Sequence, residues 1–412
     1  MKAAYLTDVE GSFRKLESFV ESCDGVSFKD GNIVVDDGFV FVFGGDAVDR
    51  GPFSRKVCQV LLEAKLRQPD RVVLLGGNRD INKLRLPREL EGAVPKKASP
   101  EIAALFRDKK PELLRWIFSN TMGAQPAFDH RKAELQVTRK PCSDDDVVRS
   151  FIADLLPPGG LHYRYLVQTQ LAFRLGATLY VHGGIADECL GKVPGAADED
   201  DVDGWIFALN AFYRQQLALY GECPVVVDKE PLWMPVIRYQ APQKGLGRNP
   251  ASVVYGRFGN DAWNNPRLPL PSSLQWLHQR GIRRVVVGHT PCGDLPAILR
   301  APAEWHADVE IVVADNSRGR LDHGNAIVVE DDNIDVRAKT TLDDGSVRDV
   351  AYVLDRNDHS SAVGRVTSDG FLVKAVVDDD AFLFRFEANW VLQQLSRKRA
   401  DLGPLGPPVD VA

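Results

Sequence analysis

The chain has 412 residues, of which 44% are hydrophobic, so it can fold as one large globular domain or as two to three ordinary ones. Its formal net charge of -6 argues against a general binder of nucleic acid or of membrane surfaces, because such proteins carry an excess of basic residues. The six cysteines include no C-x-x-C pair, so neither a zinc ribbon nor a disulfide framework is predicted.

The chain enters an apolar strand directly after Met1-Lys2, which leaves no room for a signal peptide. No apolar run in the sequence reaches the ~18 residues that a membrane span requires. We therefore expect a cytoplasmic protein with reduced thiols, and neither a membrane partner nor a nucleic-acid partner.

Three apolar strands are predicted in the N-terminal part of the chain, and each is followed by a glycine-containing loop with polar side chains. The strands cover residues 3–6, 39–43 and 72–75, and the loops read T-D-V-E-G, G-G-D-A-V-D-R-G and G-G-N-R-D. Polar side chains at successive strand ends converge on one rim of a sheet, where α/β proteins place their ligands. The rim would contain Asp8, Glu10, Asp46, Asp49, Asn78 and Asp80.

Two later strands end in histidine beside glycine, at T-L-Y-V-H-G-G and R-V-V-V-G-H-T. They add His182 and His289 to the predicted rim. Carboxylate, amide oxygen and imidazole together suit divalent ions such as Mn, Fe or Zn, and a shared carboxylate such as Asp46 can bridge two ions.

Helical patterns alternate with the first strands, over residues 12–22 and from Ser54 onward, which indicates a mostly parallel sheet covered by helices. Further helical patterns at 101–119 and 143–156 predict a helical insertion over about residues 87–170. After a Pro/Gly-rich segment at 224–271 and strands at 310–314 and 325–330, short β-like runs precede a helix-like stretch at 387–398. We expect a catalytic domain over 1–335 and a C-terminal accessory segment over 336–412.

In the order of its motifs the chain resembles the calcineurin-like metallophosphoesterase superfamily, whose pattern is D-x-H-G, G-D-x-x-D-R-G, G-N-H-[ED], a lone His near Gly, and G-H. The resemblance covers roughly residues 1 to 330. It is greatest toward the branch that holds protein Ser/Thr phosphatases and diadenosine tetraphosphatases. It implies a two-sheet α/β sandwich flanked by helices, which is the fold class that we predict.

The resemblance also implies residue roles. Asp8, Glu10 and Asp46 would hold one divalent ion, and Asp46, Asn78, His182 and His289 would hold the other, with Mn or Mg favoured and Fe or Zn as further candidates. Arg50 would grip phosphate oxygens, and Asp49 would form hydrogen bonds within the site. Arg257 in V-V-Y-G-R-F-G is the best match to a second phosphate-binding arginine, and Arg248 is its competitor.

Two residues depart from the superfamily pattern. Glu10 stands where the pattern has a metal-binding histidine, and it can bind the ion, hold a water or face solvent. Arg79 stands where the pattern has the histidine that assists the leaving group, and an arginine cannot donate that proton at neutral pH. Asp80, the usual partner of that histidine, would pair with Arg79, and Arg79 would act either as a substrate clamp or as a structural ion-pair partner.

Three functions remain open from the sequence. The first is hydrolysis of a phosphoester or phosphoanhydride in a small molecule or nucleotide, by attack of a metal-bridging hydroxide as in the superfamily. The second is a Ser/Thr phosphoprotein phosphatase, and the third is a degenerate member that binds phosphate or a partner without turnover. The first is favoured, because nearly all of the predicted ligand residues are present and no peptide-docking element is evident.

Overall fold

A computed structural model describes residues 1–138, 141–259, 265–318 and 322–407. The chain has an α/β fold, as predicted. Its strands are β1 Lys2–Leu6, β2 Val26–Lys29, β3 Asn32–Val35, β4 Phe39–Phe43, β5 Val72–Leu75, β6 Thr169–Gln170, β7 Ala172–Leu175, β8 Thr178–Val181, β9 Arg284–Pro291, β10 Ala297–Arg300, β11 Glu310–Asp315, β12 Ala326–Glu330, β13 Asn333–Thr341, β14 Val347–Asp355, β15 Val366–Thr367, β16 Leu372–Val377, β17 Asp380–Glu387, β18 Val391–Lys398 and β19 Leu405–Gly406.

The helices cover the outer faces of the sheets. They are α1 Phe13–Ser22, α2 Ser54–Arg67, α3 Asn78–Asn82, α4 Leu86–Leu90, α5 Pro100–Leu105, α6 Lys110–Ile117, α7 Ala127–Gln136, α8 Asp144–Leu155, α9 Leu161–Val167, α10 Val202–Glu222, α11 Met234–Tyr239 and α12 Pro271–Gln279. Helices α4 to α9 lie between β5 and β6, where the sequence predicts the helical insertion. None of the helices in the described ranges is both long and apolar enough to cross a bilayer.

Two mixed sheets form the centre of the molecule. The first has seven strands in the order β14-β13-β12-β1-β4-β5-β6, and the second has five in the order β10-β11-β9-β8-β7. Strands β1, β4 and β5 are parallel neighbours in the first sheet, and β8, β9 and β11 are parallel neighbours in the second. Their carboxyl ends therefore meet at one edge of the molecule.

The alternation of side chains explains why these strands are apolar on both faces. In β1, Ala3 and Tyr5 join the core that contains residues of both sheets, whereas Ala4 and Leu6 join the core beneath the helices. Tyr5 contacts Tyr180 of the second sheet, with ring centroids 5.9 Å apart. A strand that is buried on both sides reads as a continuous hydrophobic run, which is the pattern on which the sequence prediction depended.

The C-terminal region forms a third, antiparallel sheet in the order β18-β17-β16-β15-β19. The predicted helix at 387–398 is wrong, because residues 391–398 are strand β18, which pairs with β17 along its full length. This long-range pairing outweighs a local helical pattern. The division expected at residues 335/336 stays a prediction, and it falls within β13, which pairs with both β12 and β14 of the first sheet.

Candidate metal centre

The polar residues predicted at the strand ends lie together at one edge of the two sheets. Asp8 follows β1 and Asp46 follows β4, while Asn78 begins α3 directly after β5. His182 follows β8, and His289 lies within β9 of the second sheet. Two interlocking groups of possible ligand atoms result, Asp46 with His182 and His289, and Asp8 with Glu10 and Asp46, and within each group the atoms lie within 4.8 Å of one another.

The backbone at these strand ends is held in an unusual conformation. Five non-glycine residues of the site have positive φ: Asp8 at 50°, Glu10 at 47°, Asp46 at 58°, Asp49 at 121° and His289 at 57°. Such backbone costs of order 1–3 kcal/mol per residue and persists where the surrounding structure imposes it. Its concentration at this rim supports a functional role for the loops.

Two glycines let the backbone approach the carboxylates closely. A Cβ atom on Gly77 would lie 2.2 Å from the Oδ1 atom of Asp46, and one on Gly288 would lie 2.1 Å from the Oδ2 atom of Asp8. Real Cβ atoms do not approach an oxygen so closely, so only glycine fits at either position. The G-G-N and G-H motifs thus have a steric reason as well as a chemical one.

The group of Asp46, Asn78, His182 and His289 has the arrangement of an ion site. The Nδ1 atom of His182 is 2.8 Å from the carbonyl oxygen of Gly44, so Nδ1 carries the proton and Nε2 presents a lone pair. That lone pair faces the Oδ1 atoms of Asn78 and Asp46, at 3.2 and 3.3 Å. A cation bound between these three atoms would satisfy all of them at once.

His289 supplies the second imidazole of this group. Its Nε2 atom is buried and has no hydrogen-bond partner among the residues that the structure describes. Burial, with Arg257 and His182 nearby, lowers the pKa of His289 well below its ordinary value, so the ring is neutral and able to bind a metal ion. The four residues therefore fit a divalent ion on the basis of their own geometry.

The group of Asp8, Glu10 and Asp46 is less open to an ion. Both Glu10 oxygens already face guanidinium groups, Oε1 at 2.8 Å from Arg79 Nε and Oε2 at 3.1 Å from Arg50 Nη1. The Oδ2 atom of Asp8 accepts hydrogen bonds from the Thr7 hydroxyl and from the backbone N–H of His289. Burial, together with Asp315 and Asp46, raises the pKa of Asp8 well above its ordinary value.

Arg79 and Asp80 do not pair as the sequence predicts. The Asp80 carboxylate accepts hydrogen bonds from the backbone N–H groups of Asp46, Ala47 and Gly77, at 2.9 to 3.0 Å, and so fixes the loop that carries Asp46. The Arg79 guanidinium turns instead toward Glu10 and Asp49. Two of these donors belong to the loop after β4 and the third directly precedes α3, so the Asp80 carboxylate at the start of α3 joins the two loops and has no oxygen left for Arg79.

Asp49 lies beneath the site and pairs with two positively charged side chains. Its carboxylate is 3.1 Å from Arg79 Nη1 and 2.7 Å from Lys83 Nζ, and all three side chains are largely buried. Burial alone would raise the pKa of Asp49, but Lys83 and Arg79 outweigh burial and lower it. Asp49 therefore stays ionised and orients Arg79.

The remaining predicted arginines lie at the rim. Arg50 is about one-third exposed beside Glu10, and Arg257 donates a hydrogen bond to the carbonyl oxygen of His289 at 3.1 Å. Arg248, the competitor of Arg257, has Arg267 and Glu188 as its charged neighbours. The structure thus places Arg257 against His289 of the candidate metal centre.

Three charged residues of the site were not singled out from the sequence. Asp315 ends β11 and acts on the pKa of both Asp8 and Glu10, and Lys83 pairs with Asp49. Arg318 has Arg50, Asp315 and Arg257 as charged neighbours. Asp315 follows the predicted strand at 310–314, so the expectation that polar side chains at strand ends form the site could have identified it. Lys83 and Arg318 belong to no motif.

Residues 1–293 match the family model described as calcineurin-like phosphoesterase. The chain is similar to the structure of a cold-active protein-tyrosine phosphatase of a psychrophile, Shewanella sp., at 16% identity over 84% of this chain and 80% of that one, with a TM-score of 0.46. It is also similar to a protein serine/threonine phosphatase from Saccharomyces cerevisiae, at 13% identity over 88% and 82% of the two chains, with a TM-score of 0.37. No curated protein matches the sequence.

Proposed function

Because the chain belongs to the calcineurin-like phosphoesterase family, we propose that it is a metal-dependent hydrolase that cleaves a phosphoester or phosphoanhydride bond. The observation that carries the proposal is the buried set of acceptors around Asp46. The Nε2 atom of His289 has no partner among the described residues, and the Nε2 lone pair of His182 faces two oxygens. A divalent ion bound among these atoms would satisfy all of them together.

When bound by this set, a divalent ion would supply Lewis acidity to a phosphoryl oxygen and would activate water as the nucleophile. The residues that would hold it are Asp46, Asn78, His182 and His289. Two oxygen and two nitrogen donors suit Mn, Fe or Zn. The protein fixes the donors by hydrogen bonds from behind, since His182 Nδ1 donates to the Gly44 carbonyl and Asp80 anchors the loop of Asp46.

The sequence predicts a second ion at Asp8, Glu10 and Asp46, where all-oxygen donors favour Mn or Mg. The three carboxylates are close enough together to share an ion. Arg79 and Arg50, however, already face the two oxygens of Glu10. The support for the second ion is therefore weaker than the support for the first.

The arginines of the rim would hold the transferred phosphoryl group. Arg50 is partly exposed and Arg257 is fixed by the His289 carbonyl, so both can donate to equatorial oxygens. Arg79 lies deeper and adds positive charge at the base of the site. These charges would stabilise the additional negative charge of the transition state.

A small molecule or nucleotide is the substrate class that we favour. A cavity of about 330 Å³ opens beside Asp8, Glu10 and Arg50, and Asn316 and Ser317 form its other wall. Small-molecule sites begin at about this size. A phosphoserine or phosphothreonine side chain in a protein remains the alternative.

Arg79, which contacts Glu10, favours a second candidate function. The chain would then be a degenerate member of the family that binds phosphate without hydrolysing a substrate. An arginine in the place of the histidine that assists the leaving group removes a proton donor. Against this candidate stands the intact set of Asp46, Asn78, His182 and His289, since loss of catalysis would have released all four from selection.

A substrate panel tests the proposal. Metal-free protein would be reloaded with Mg, Mn, Fe, Co or Zn and assayed on an aryl phosphate, a dinucleoside polyphosphate and a phosphoserine peptide, with the bound metal measured in each sample. We expect hydrolysis of the aryl phosphate and the polyphosphate with at least one metal. Bound metal without hydrolysis of any substrate would support the degenerate member instead.

A further inference from the structure

We infer that the Arg79 guanidinium takes the place of one of the two metal ions, so that this chain holds a single ion. The inference rests on the proposed function, because it concerns the same site. Its starting point is that the two departures from the superfamily pattern, Glu10 and Arg79, contact each other, with Arg79 Nε 2.8 Å from Glu10 Oε1. Two separate substitutions have produced one buried ion pair.

The guanidinium lies where an ion in the group of Asp8, Glu10 and Asp46 would bind. Arg79 Nε faces Glu10 Oε1 and is 3.5 Å from Asp46 Oδ2, so it approaches two of the three carboxylates that would have to hold the ion. The other Glu10 oxygen faces Arg50. An ion that used Glu10 would have to displace a guanidinium from a buried carboxylate.

Arg79 is also anchored on its far side, so it cannot easily move away. Its Nη1 atom donates to Asp49 Oδ2 at 3.1 Å and to the Met122 carbonyl at 3.2 Å. Its backbone N–H donates to Asp46 Oδ1, and its backbone carbonyl accepts from Lys83. The side chain is only 12% exposed, so displacing it would break several buried, charge-assisted contacts together.

The positive charge already present beside Glu10 disfavours a second ion. Arg79 and Arg50 face the two oxygens of Glu10, and Arg318 has Arg50 and Glu10 among its charged neighbours. A second dication would face a guanidinium at the short range where like charges repel strongly.

The two groups of possible ligands thus differ in whether a positively charged group already lies among them. In the group with His182 and His289, His289 Nε2 has no hydrogen-bond partner among the described residues and His182 Nε2 faces Asp46, so a cation can be held there. The group with Glu10 already contains its cation, in the form of Arg79. A guanidinium can hold phosphoryl oxygens through its N–H groups, as an ion would through coordination, but it cannot activate water.

The test is the number of Mn²⁺ ions bound per chain. Metal-free wild type would be titrated with Mn²⁺ in a calorimeter and examined by electron paramagnetic resonance. We expect one tight site per chain and the spectrum of an isolated Mn²⁺ ion. Two tight sites, or the spectrum of an exchange-coupled pair, would overturn the inference.

The double variant Glu10→His with Arg79→His restores the residue types of the superfamily and should bind two ions with a coupled spectrum. Arg67→His, at an exposed position on α2, is the matched control and should bind one ion. If the double variant does not fold, Arg79→Gln serves in its place, and it should show a second, weaker site. A folded variant of either kind that still binds one ion would overturn the assignment to Arg79.

Hydrolysis assays on the same samples separate this inference from the proposed function. One ion without hydrolysis leaves the inference intact and removes the proposed function. Two ions bound to an active wild type would overturn the inference and leave the proposed function intact, because the chain would then be an ordinary binuclear phosphoesterase.

Discussion

Asp46 is the residue on which the site depends most. It belongs to both groups of possible ligands, and its Oδ1 atom accepts a hydrogen bond from the backbone N–H of Arg79 while it faces His182 Nε2. Its own backbone N–H is fixed by Asp80. One carboxylate therefore links the ion site, the Arg79 guanidinium and the loop between β4 and α2.

Asp46→Asn should lower the bound metal and reduce hydrolysis by more than roughly 100-fold, because an amide binds a divalent ion more weakly than a carboxylate. Both quantities would be measured on one preparation. Asp30→Asn, at an exposed position that also has positive φ, is the matched control and should leave both unchanged. Near-normal activity of Asp46→Asn would remove Asp46 from the site.

Arg79 leads to a prediction about the leaving group. An arginine stays protonated at neutral pH, and its charge is held further by Glu10 and Asp49, so it can stabilise a departing oxyanion but cannot protonate it. Aryl oxides and phosphate leave well without a proton, and alkoxides do not. We expect kcat/KM for aryl phosphates and phosphoanhydrides to exceed that for alkyl phosphates.

Arg79→His should reduce the preference for aryl over alkyl phosphates by at least roughly tenfold, because the imidazole introduced at position 79 can donate a proton to the leaving group. The measurement is the ratio of kcat/KM for an aryl and an alkyl phosphate in the two proteins. An equal ratio in wild type and variant would show that Arg79 has no part in the leaving-group step.

Strands and their ends could be predicted well from the sequence. The apolar runs before Asp8, Asp46 and His182 are strands in the structure, because burial on both faces of a sheet leaves a continuous hydrophobic signal. The rule that polar side chains at successive strand ends converge on one rim holds for these strands, since Asp46 lies close to both Asp8 and His182. The same rule applied to β11 would have found Asp315.

Side-chain pairing and long-range strand pairing could not be predicted. The contact between Glu10 and Arg79 joins the loop after β1 to helix α3, which are far apart in sequence, and no local pattern encodes it. Strand β18 has a helix-like sequence and becomes a strand because β17 is available to pair with it. In both cases the outcome depends on distant residues, which composition and periodicity do not describe.

Helix α8 begins where the sequence predicts a helix, within the helical pattern over residues 143–156. The Ser143 hydroxyl accepts from the Asp146 backbone N–H, and the Asp146 carboxylate accepts from Ser143, as in a capping box. Ser143→Ala should lower the free energy of unfolding by about 1 kcal/mol without a change in kcat/KM. Denaturant unfolding and a hydrolysis assay check the two parts, and a large loss of activity would mean that α8 contributes to the site.

At the scale of the whole molecule, the C-terminal sheet packs against the loop that follows His289. Lys374 of β16 is buried and donates to the Cys292 carbonyl at 2.6 Å, and Gln394 of β18 bonds to Asp294 through both ends of its amide. The third sheet is therefore in contact with the segment that carries a proposed metal ligand. Burial lowers the pKa of Lys374 from 10.5 to about 8.

This pKa predicts a stability change with pH. Below about pH 8, Lys374 is charged in both states and folding carries the cost of burying that charge. Between about 8 and 10.5 the unfolded chain binds the proton and the folded chain does not, so stability rises with pH, by up to about 1.4 kcal/mol per unit. In Lys374→Met, this rise in the free energy of unfolding between about pH 8 and 10.5 should be absent. Unfolding free energies from pH 7.5 to 10 would be compared, and parallel curves for the two proteins would show that Lys374 does not titrate in this way.

The central claim is that hydrolysis depends on an ion held by Asp46, Asn78, His182 and His289. The most direct measurement is the initial rate of aryl phosphate hydrolysis by metal-free protein as Mn²⁺ is added, with bound Mn²⁺ determined at every point, in wild type and in His289→Ala. We predict a rate that rises in proportion to the tightly bound ion in wild type, and neither tight binding nor hydrolysis in the variant. Full hydrolysis by metal-free wild type, or by His289→Ala, would contradict the account.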